Sequence, residues 1–376
     1  MSHLALRSHH IFDGHRDIGP GIIEVRGPTI TAVHPGEAAR VPAGAELTDL
    51  GDDLITPGLV DVHNHGGGGA SFGADPWPAI RLHRSHGSTT LVASLVSQSL
   101  DELERQVRML APLVADGELA GIHLEGPWLA PGRRGAHPLD ALRAPAPDEV
   151  VRLLAAGAGA VRMVTLAPEL PHAPAAIDLL TTQGVVTAIG HTEADLDTTT
   201  AAIDAGARGA THLFNAMPGV HHRAPGPVLG LVSDERVWLE LIVDGVHVHP
   251  GLVAETFKQY GQRVVLVTDA MAAAGQPDGD YQLGELLVQV RGGTARLADG
   301  GGLAGSTLTL DAEIRHAISA GVGHEQALRS ATAQPAAYLG LDTGVLAHGR
   351  PADLVVWTAD WQVARVMRHG QWFEFS

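Results

Sequence analysis

Histidine and carboxylate side chains recur in this chain at the ends of short apolar runs. The first such run, Leu54–His65, ends in His63 and His65 and is followed by four glycines. Because side chains alternate along a strand, His63 and His65 point in the same direction, and two imidazoles on one strand face can bind a divalent metal ion. The H-x-H motif alone is weak evidence, since a chain with 22 histidines contains about one by chance. His247-Val248-His249 is a second instance.

Five later apolar runs also end in side chains that can bind a metal ion or move a proton. Those side chains are Glu125, His191, His212, the pair Asp244 and His247, and Asp269. Each has a structural interpretation when taken alone: Asp269 could stabilise a turn, and His212 could be a buried, hydrogen-bonded histidine. A random scatter would not favour one end of successive runs, so this placement predicts a single polar cluster. With no cysteine in the chain, such a cluster suits Zn²⁺, Fe²⁺, Mn²⁺ or Co²⁺.

The apolar runs are rich in β-branched residues and alternate with amphipathic helical stretches. The runs are Leu54–His65, Thr89–Ser97, Ala120–Pro127, Val161–Pro168, Val185–Thr192, Gly209–Met217, Trp238–Val248 and Arg263–Met271. Typical helices are predicted at Leu100–Ala115, Asp148–Gly157 and Glu193–Gly206, the last with Thr192 as its N-cap. Continuous apolar strands indicate a parallel sheet that is buried on both faces. Eight of them fit an α/β fold, a (β/α)8 TIM-like barrel with its site at the carboxyl ends of the strands, and a doubly wound sheet is the alternative.

The two ends of the chain differ from its middle, because both contain short strand-like pieces and turn signals. Residues 1–54 and 342–376 are therefore predicted to form one small β-sandwich domain, and residues 55–341 the barrel. Within the barrel, the glycine-rich segment 272–302 is strand-like around Leu286–Val290 and is expected to fold over the mouth. Helices at Leu308–Ala320 and Glu325–Tyr338 then complete the barrel.

Composition argues against several classes of protein. The net charge is −17, and no cluster of lysine and arginine stands out, which argues against a nucleic-acid partner. Lys258, the only lysine, lies in a predicted helix, so neither Schiff-base chemistry nor a lysine-derived bridge between metals is expected. The first residues are not an apolar leader, and no apolar run is long enough to span a bilayer. These features predict a cytoplasmic protein with no membrane partner.

Several longer motifs occur together and in order along the chain. They are Pro57-Gly58-Leu59-Val60-Asp61-Val62-His63-Asn64-His65, His123-Leu124-Glu125-Gly126-Pro127-Trp128, Gly190-His191-Thr192, His212-Leu213-Phe214-Asn215-Ala216-Met217, Asp244-Gly245-Val246-His247-Val248, Thr268-Asp269-Ala270 and Leu303-Ala304-Gly305-Ser306. Through them the chain resembles, over nearly its full length, the amidohydrolase superfamily and, within it, the N-acetylglucosamine-6-phosphate deacetylase family. The resemblance implies a metal-dependent hydrolase that converts N-acetylglucosamine 6-phosphate to glucosamine 6-phosphate and acetate, in amino-sugar catabolism or cell-wall recycling.

The resemblance also implies a role for each matching residue. Glu125, His191 and His212 match the core metal site. Asp269 matches the catalytic aspartate, which takes a proton from the attacking water and later gives it to the leaving amine. His137 matches a residue that stabilises the oxyanion of the tetrahedral intermediate. The remaining matches are contacts to the sugar and its phosphate from Asn215, the Ala216 backbone, Arg223 and His247, and backbone contacts to the acetyl end from Leu303, Ala304 and Gly305.

Arg223 and the first histidine pair carry two further expectations. A guanidinium is a forked, permanently charged donor that suits a phosphate monoester. In the resembled family this arginine can come from the neighbouring subunit, which implies a homodimer. His63 and His65 decide whether a second metal binds, because some members of the family lack the pair and use one metal. We predict two metals bridged by Glu125, with Asp269 among the ligands; zinc is the first candidate, and iron, cobalt and manganese are alternatives.

Two other interpretations of the sequence remain open. One is a different metal-dependent amidohydrolase, such as an N-acyl-amino-acid deacetylase or a cyclic amidase. The other is a catalytically inactive barrel that acts as a binding protein. The intact set of metal-competent side chains argues against an inactive barrel. A different amidohydrolase predicts that Arg223→Ala leaves the turnover of a substrate without a phosphate intact.

Overall fold

The structure, a computed structural model, describes residues 2–374. Met1, Phe375 and Ser376, which the predicted terminal domain includes, lie outside the described residues. The strands are β1 (His3–Phe12), β2 (Asp17–Arg26), β3 (Thr29–Pro35), β4 (Glu46–Asp49), β5 (Leu54–Pro57), β6 (Leu59–Asn64), β7 (Gly66–Gly67), β8 (Ala70–Ser71), β9 (Ser88–Val96), β10 (Gly121–Glu125), β11 (Val161–Leu166), β12 (Val186–Ile189), β13 (Gly209–Ala210), β14 (Trp238–Leu241), β15 (Val264–Leu266), β16 (Gly279–Leu283), β17 (Leu286–Arg291), β18 (Thr294–Leu297), β19 (Leu354–Trp357), β20 (Val363–Arg368) and β21 (Gln371–Trp372).

Helices connect most of the strands in the middle of the chain. They are α1 (Pro76–Ser85), α2 (Leu100–Ala115), α3 (Pro147–Gly157), α4 (Ala173–Thr182), α5 (Leu196–Asp204), α6 (Gly226–Ser233), α7 (Pro250–Tyr260), α8 (Leu310–Ser319), α9 (His324–Ser330) and α10 (Ala333–Leu339), with short 3₁₀ turns at Pro131–Arg133 and Leu139–Ala141. No helix within residues 2–374 is both long enough and apolar enough to cross a membrane.

Eight strands, β6 and β9 to β15, form one sheet whose spatial order follows the chain. Every pairing in this sheet is parallel. Its two edges approach each other, because the amide of Asp269 donates to the carbonyl of His63 (2.9 Å) and the amide of His65 donates to that of Ala270 (2.8 Å). The sheet is therefore a nearly closed barrel, and the carboxyl ends of its strands lie at one rim.

Side-chain alternation divides the apolar residues of the barrel into two buried clusters. Leu239 and Leu241 of β14 belong to the outer cluster under the helices. The inner cluster fills the barrel and includes Val60, Met163 and Ala188 from three other strands. Because side chains alternate, a strand residue points either outward, towards the helices, or inward, towards the barrel axis. The polar rim surrounds one end of this axis.

The predicted opening strand, Leu54–His65, is in fact two strands that belong to different sheets. β5 pairs with β1 and β19, whereas β6 pairs with β9 in the barrel. Pro57 has no N–H for a strand ladder, and Gly58 lies so close to Thr89 that a Cβ atom would be 2.0 Å from its hydroxyl oxygen. The chain crosses from one sheet to the other at this Pro-Gly pair, which a continuous apolar run conceals.

Two predicted strands and two predicted helices also have different bounds. The runs Gly209–Met217 and Trp238–Val248 form strands only over their first residues, as β13 and β14. α5 begins at Leu196 rather than at residue 193, because Asp195 accepts from the amide of Thr198 at 2.8 Å and is the N-cap. The predicted helix Glu325–Tyr338 is interrupted at Thr332, whose φ and ψ of −132° and −89° separate α9 from α10.

Strands from both ends of the chain form a second sheet. Its order is β21-β20-β19-β5-β1-β2-β3, and β4 also pairs with β1. An apolar cluster that includes Leu6, Ile23, Ile55 and Val356 packs within it. The junction of both termini in one sheet agrees with the sequence pattern; the sandwich arrangement and the boundaries at 54 and 342 stay predictions.

Candidate metal centre and active site

The candidate ligands lie at the carboxyl rim of the barrel, each at or just after the end of a strand. His63 is in β6, Glu125 is the last residue of β10, and His191, His212 and Asp269 follow β12, β13 and β15. These last three have φ values of 47°, 28° and 46°, in the left-handed region that residues other than glycine rarely adopt. The strands end at these backbone turns. A positive φ strains the backbone of such residues, and strained residues are concentrated at functional sites.

Six buried side chains form two ligand groups that share one carboxylate. The first ligand group is His63, His65, Glu125 and Asp269, and the second ligand group is Glu125, His191 and His212. In the second group, Glu125 Oε1 lies 3.1 Å from His191 Nε2 and 3.0 Å from His212 Nε2. Its other oxygen, Oε2, lies 3.1 Å from His65 Nε2 in the first group. Glu125 thus directs one oxygen at each group, as a bridging carboxylate does.

Hydrogen bonds on the far side of three histidines determine which ring nitrogen faces the site. The bonds are His63 Nδ1 to Glu240 Oε2 (3.0 Å), His65 Nδ1 to Ser94 O (3.2 Å) and His191 Nδ1 to Arg133 O (2.8 Å). Carbonyl and carboxylate oxygens only accept, so each Nδ1 carries a hydrogen and each Nε2 lone pair of the neutral ring points into the site. This is the arrangement in which proteins hold metal-binding imidazoles.

The distances between the ring nitrogens support a metal at each group. His191 Nε2 and His212 Nε2 are 3.0 Å apart, and His63 Nε2 and His65 Nε2 are 3.2 Å apart. Two lone pairs at that separation repel each other unless a proton or a cation lies between them. Four-coordinate zinc with ligands at about 2.0–2.1 Å spaces its ligand atoms by roughly 3.3 Å. The donor set and its spacing therefore fit a divalent metal.

The carboxylates of the site are held in the ionised form. Burial disfavours the charge on Asp269, but in the metal-free protein the positive charge of protonated His63 and a hydrogen bond with His65 lower the pKa of this carboxyl to about 2. A metal cation held by the neutral rings would favour the carboxylate in the same way. Burial likewise opposes the charge on Glu125, and the surrounding histidines bring its pKa well below the usual range. Both carboxyls can therefore act as ligands or as proton acceptors at neutral pH.

His137 is a neutral hydrogen-bond donor on the wall of the site. The amide of Ser97 donates to His137 Nδ1 at 3.2 Å, so the ring hydrogen is on Nε2. Burial lowers the pKa of His137 to about 4, which keeps the ring uncharged at neutral pH. Nε2 lies 3.4 Å from Glu125 Oε2, and the ring packs against that of His191, with 4.6 Å between the ring centroids. This position suits a donor to a carbonyl oxygen on which negative charge develops.

A cavity of about 360 Å³ opens above the ligands. The residues predicted to act in the site that line it are His65, Glu125, His137, His191, His212, Asn215, Ala216, His247, Asp269, Leu303 and Gly305. Leu283 of the β16–β18 insertion also lines it, so the glycine-rich segment lies over the mouth as expected. His247 is held by Asp244, whose Oδ2 lies 2.6 Å from His247 Nδ1. A larger cavity of about 740 Å³ is lined on one side by His65 and extends between α2 and the insertion.

Three predicted residues do not line the 360 Å³ cavity. His63 is fully buried beneath it, and Ala304 is also fully buried. Arg223 is exposed on the loop before α6, where its Nη1 lies 2.6 Å from His222 Nε2. The structure therefore brings the residues predicted to bind metal together with most of those predicted to contact the substrate, and it leaves Arg223 outside the cavity.

Sequence reasoning missed the groups that support these histidines from behind. Glu240 contacts His63 through its side-chain carboxylate, whereas Ser94 contacts His65 through its main-chain carbonyl and Ser97 contacts His137 through its main-chain amide. Glu240 had a detectable signal, because it is a charged residue flanked on both sides by apolar residues of a predicted strand. The two main-chain contacts had none, since they depend on the path of the backbone and not on the type of residue.

A family model and curated relatives match most of the chain. The Amidohydrolase family model matches residues 54–373. The N-acetylgalactosamine-6-phosphate deacetylase of Escherichia coli O157:H7 is 37% identical over 349 residues, which are 90% of this chain and 92% of the relative. The N-acetylglucosamine-6-phosphate deacetylase of Bos taurus is 38% identical over 333 residues, 83% of this chain and 81% of the relative.

Two solved structures are similar to this chain in both fold and sequence. The N-acetyl-D-glucosamine-6-phosphate deacetylase of Mycobacterium smegmatis, as a mutant in complex with N-acetyl-D-glucosamine-6-phosphate, is 46% identical with a TM-score of 0.95 and covers 99% of both chains. The Pasteurella multocida N-acetylglucosamine-6-phosphate deacetylase is 27% identical with a TM-score of 0.93, again over 99% of both chains. The chain therefore belongs to the amidohydrolase family and, within it, to the N-acetylglucosamine-6-phosphate deacetylases.

Proposed function

We propose that the protein is a divalent-metal hydrolase that removes the acetyl group from N-acetylglucosamine 6-phosphate, releasing glucosamine 6-phosphate and acetate. The observation that carries the proposal is one cavity in which two metal-competent groups share Glu125, with Asp269 and His137 beside them. The solved relative from Mycobacterium smegmatis holds this phosphorylated amino sugar. Amide hydrolysis needs a nucleophilic water, a proton carrier and an oxyanion donor, and this cavity contains candidates for the last two.

We propose one metal in each ligand group, bridged by Glu125. Zinc is the first candidate, and iron, cobalt and manganese are alternatives, because ligands of histidine and carboxylate type do not choose among them. A metal bound here supplies a Lewis acid that lowers the pKa of water and polarises the substrate carbonyl. No strand of the barrel contains a lysine, since the only lysine, Lys258, lies in α7, and this leaves Glu125 as the bridge.

Two side chains carry out the proton transfer and stabilise the developing charge. Asp269, which is ionised at neutral pH, accepts a proton from water as the water oxygen bonds to the acetyl carbon. The same carboxyl then gives this proton to the nitrogen while the carbon–nitrogen bond breaks, so that glucosamine 6-phosphate leaves as a neutral amine or, after a further protonation, as an ammonium ion. His137 donates its Nε2 hydrogen to the oxyanion of the tetrahedral intermediate.

The sugar and its phosphate are proposed to contact Asn215, the Ala216 backbone and His247, and the acetyl group to contact the backbone of Leu303, Ala304 and Gly305. Arg223 is proposed to bind the phosphate across the interface of a homodimer. Its exposed position outside the cavity of its own chain supports this assignment. A guanidinium that reaches a neighbouring subunit makes the site complete only in the dimer.

The finer architecture is proposed on the same grounds. We propose a closed (β/α)8 barrel over residues 55–341 and a small β-sandwich domain from residues 1–54 and 342–376. The near closure between β6 and the segment after β15 supports the barrel. The shared sheet of both termini supports the terminal domain. The cytoplasmic location expected from the sequence stays a prediction.

N-acetylgalactosamine 6-phosphate is a second candidate substrate. The Escherichia coli O157:H7 relative, named for that sugar, matches 90% of this chain at 37% identity. The two sugars differ only in the configuration of one hydroxyl group, so the metal ligands, Asp269 and His137 would act on both in the same way. The hydroxyl contacts in the cavity decide the preference.

The test is to measure acetate release from both sugars by the pure protein after loading with Zn²⁺. N-acetylglucosamine 6-phosphate should give the higher kcat/KM, and Asp269→Asn should reduce kcat by at least about 10²-fold because the proton carrier is lost. Chelation should abolish activity, and added metal should restore it. No acetate from any of the preparations would contradict the proposal. Faster turnover of the galactose epimer, or of an acyl amide without phosphate, would reassign the substrate.

A further inference from the structure

Glu240 is a fully buried carboxyl inside the barrel that the proposed reaction does not use. Its neighbours in β14, Leu239 and Leu241, face the helices, so alternation turns Glu240 towards the barrel axis. Removing a carboxylate from water costs several kcal/mol unless its partners compensate. A residue that served packing alone at this position would be apolar.

Both oxygens of Glu240 have defined partners. Oε2 accepts from His63 Nδ1 at 3.0 Å, and Oε1 accepts from the Tyr338 hydroxyl at 3.2 Å. All three side chains are buried, with Tyr338 5% exposed and the other two fully covered. Tyr338 therefore holds Glu240, and Glu240 holds the ring of a residue in the first ligand group.

The backbone makes room for this chain of contacts. Tyr338 of α10 enters the barrel from the end at which β13 begins. A Cβ atom on Gly209, the first residue of β13, would lie 1.8 Å from the Tyr338 hydroxyl oxygen. Only glycine allows the hydroxyl to reach this point, so the glycine, the tyrosine and the glutamate form one unit that runs through the barrel to the rim.

The hydrogen bond between Glu240 and His63 determines which ring nitrogen of His63 faces the other ligands. Because Glu240 accepts from Nδ1, the Nε2 lone pair of the neutral ring faces His65, Glu125 and Asp269. The corresponding partners of His65 and His191 are main-chain carbonyls. Among these three ligands, whose Nδ1 bonds are described above, His63 is the one whose orientation depends on a side chain.

We infer that Glu240 is a positioning residue that sets the metal affinity of the first ligand group by holding His63, and that Tyr338 supports it. The inference rests on the proposed two-metal site. Carboxylate partners of metal-binding histidines raise ligand basicity and fix the ring, and their loss typically weakens metal binding 10- to 100-fold. Glu240 thereby determines whether the site operates with one metal or with two.

The test compares Zn²⁺ binding by metal-free wild-type protein, Glu240→Gln and Tyr338→Phe. The glutamine variant keeps the size and an acceptor for His63 but removes the charge. Affinities come from competition with a chromophoric chelator, and bound zinc is counted by elemental analysis. His65→Asn, which removes a ligand of the first group outright, marks the affinity of the second group alone. Circular dichroism and thermal unfolding verify that each variant is folded.

Wild-type protein should bind two equivalents. Glu240→Gln should bind one equivalent as before and the other about 10- to 100-fold more weakly. Tyr338→Phe should weaken the same equivalent by about three- to tenfold, because one neutral hydrogen bond is lost. The matched control is Glu313→Gln, another fully buried glutamate, which accepts from the amide of Val243 rather than from a ligand. It should bind both equivalents like wild type.

The inference would be overturned by wild-type zinc affinities in both Glu240→Gln and Tyr338→Phe, or by a wild-type titration that saturates at one equivalent. An equal loss in Glu313→Gln would also overturn it, since the effect would then be a general one of replacing a buried glutamate. Failure of the proposed function has a different signature. A wild-type protein that binds two zinc ions and releases no acetate would contradict the reaction and leave the role of Glu240 intact.

Discussion

Replacement of His137 separates its role as a hydrogen-bond donor from a role in binding metal. Its Nδ1 accepts from the Ser97 amide at 3.2 Å, so Nε2 carries the only ring hydrogen and faces the cavity. His137→Leu removes that hydrogen while it keeps an apolar side chain of similar bulk. His137→Gln places an amide N–H near the former position of Nε2. The two variants therefore differ mainly in whether a donor is present.

The expected magnitudes follow from the loss of one donor in a buried site. Loss of a single oxyanion donor reduces kcat by about 10²–10³-fold, and we expect His137→Leu to fall in this range with KM nearly unchanged. His137→Gln should regain about tenfold, the equivalent of one ordinary hydrogen bond. Burial lowers the pKa of His137 to about 4, so the ring stays neutral above pH 5. The wild-type rate should therefore show no acid limb from His137 between pH 5 and 7.

The assay is steady-state acetate release by zinc-loaded protein, together with the zinc content of each variant. Both variants should retain the wild-type zinc content, because no ligand has been removed. A kcat for His137→Leu within threefold of wild type would refute the donor role. Equal loss of zinc and activity in both variants would instead identify His137 as a ligand.

Three further predictions concern stability and assembly. Burial opposes the charge of Asp311, but its partner His86 lowers the pKa of this carboxyl from 3.8 to about 2, so Asp311→Asn should lower the free energy of unfolding by about 2 kcal/mol at pH 7. A carboxyl group with a lowered pKa stabilises the folded protein above pH 4, and this stabilisation is lost as the pH falls towards 2. The free energies of unfolding of the two proteins, measured with urea, should therefore converge near pH 2. A difference that stays constant with pH would contradict this cause. Arg223→Ala should raise KM for the phosphorylated sugar at least about tenfold. If the arginine acts across a dimer, mixing this variant with Asp269→Asn and allowing subunits to exchange should restore about a quarter of the wild-type number of active sites. No gain in activity on mixing would show that the arginine acts on the site of its own subunit. Gly209→Ala should lower the free energy of unfolding by about 1–3 kcal/mol, because the added Cβ atom would overlap the hydroxyl of the neighbouring tyrosine. An unchanged temperature of thermal unfolding would show that the barrel adjusts locally to accept the Cβ atom.

The candidate ligands could be predicted from the sequence because of one rule of parallel barrels. Strands buried on both faces are continuous apolar runs, and their carboxyl ends meet at one rim. Polar residues that follow such runs, as His191 and His212 do, must therefore approach each other in space. The rule needs only the order of runs along the chain, so errors of several residues in the strand ends did not matter.

Contacts that the sequence could not indicate depend on the course of the chain in space. Glu240 and His63 are 177 residues apart, and nothing in either segment encodes their 3.0 Å contact. The division of the opening run at Gly58 arises from its close approach to Thr89, on another strand. The position of Arg223 outside the cavity depends on the fold of an exposed loop that contains no periodic pattern.

His63 and His65 illustrate the division between these two sources of information. Their alternation along one strand, which local backbone geometry dictates, determined that both imidazoles face one side. Whether they form part of a metal site was decided by tertiary structure, because the site also needs Glu125 and Asp269 from other strands. Side-chain direction is a property of neighbouring residues in one strand, whereas a cluster that can bind a metal is a property of the whole, nearly closed sheet.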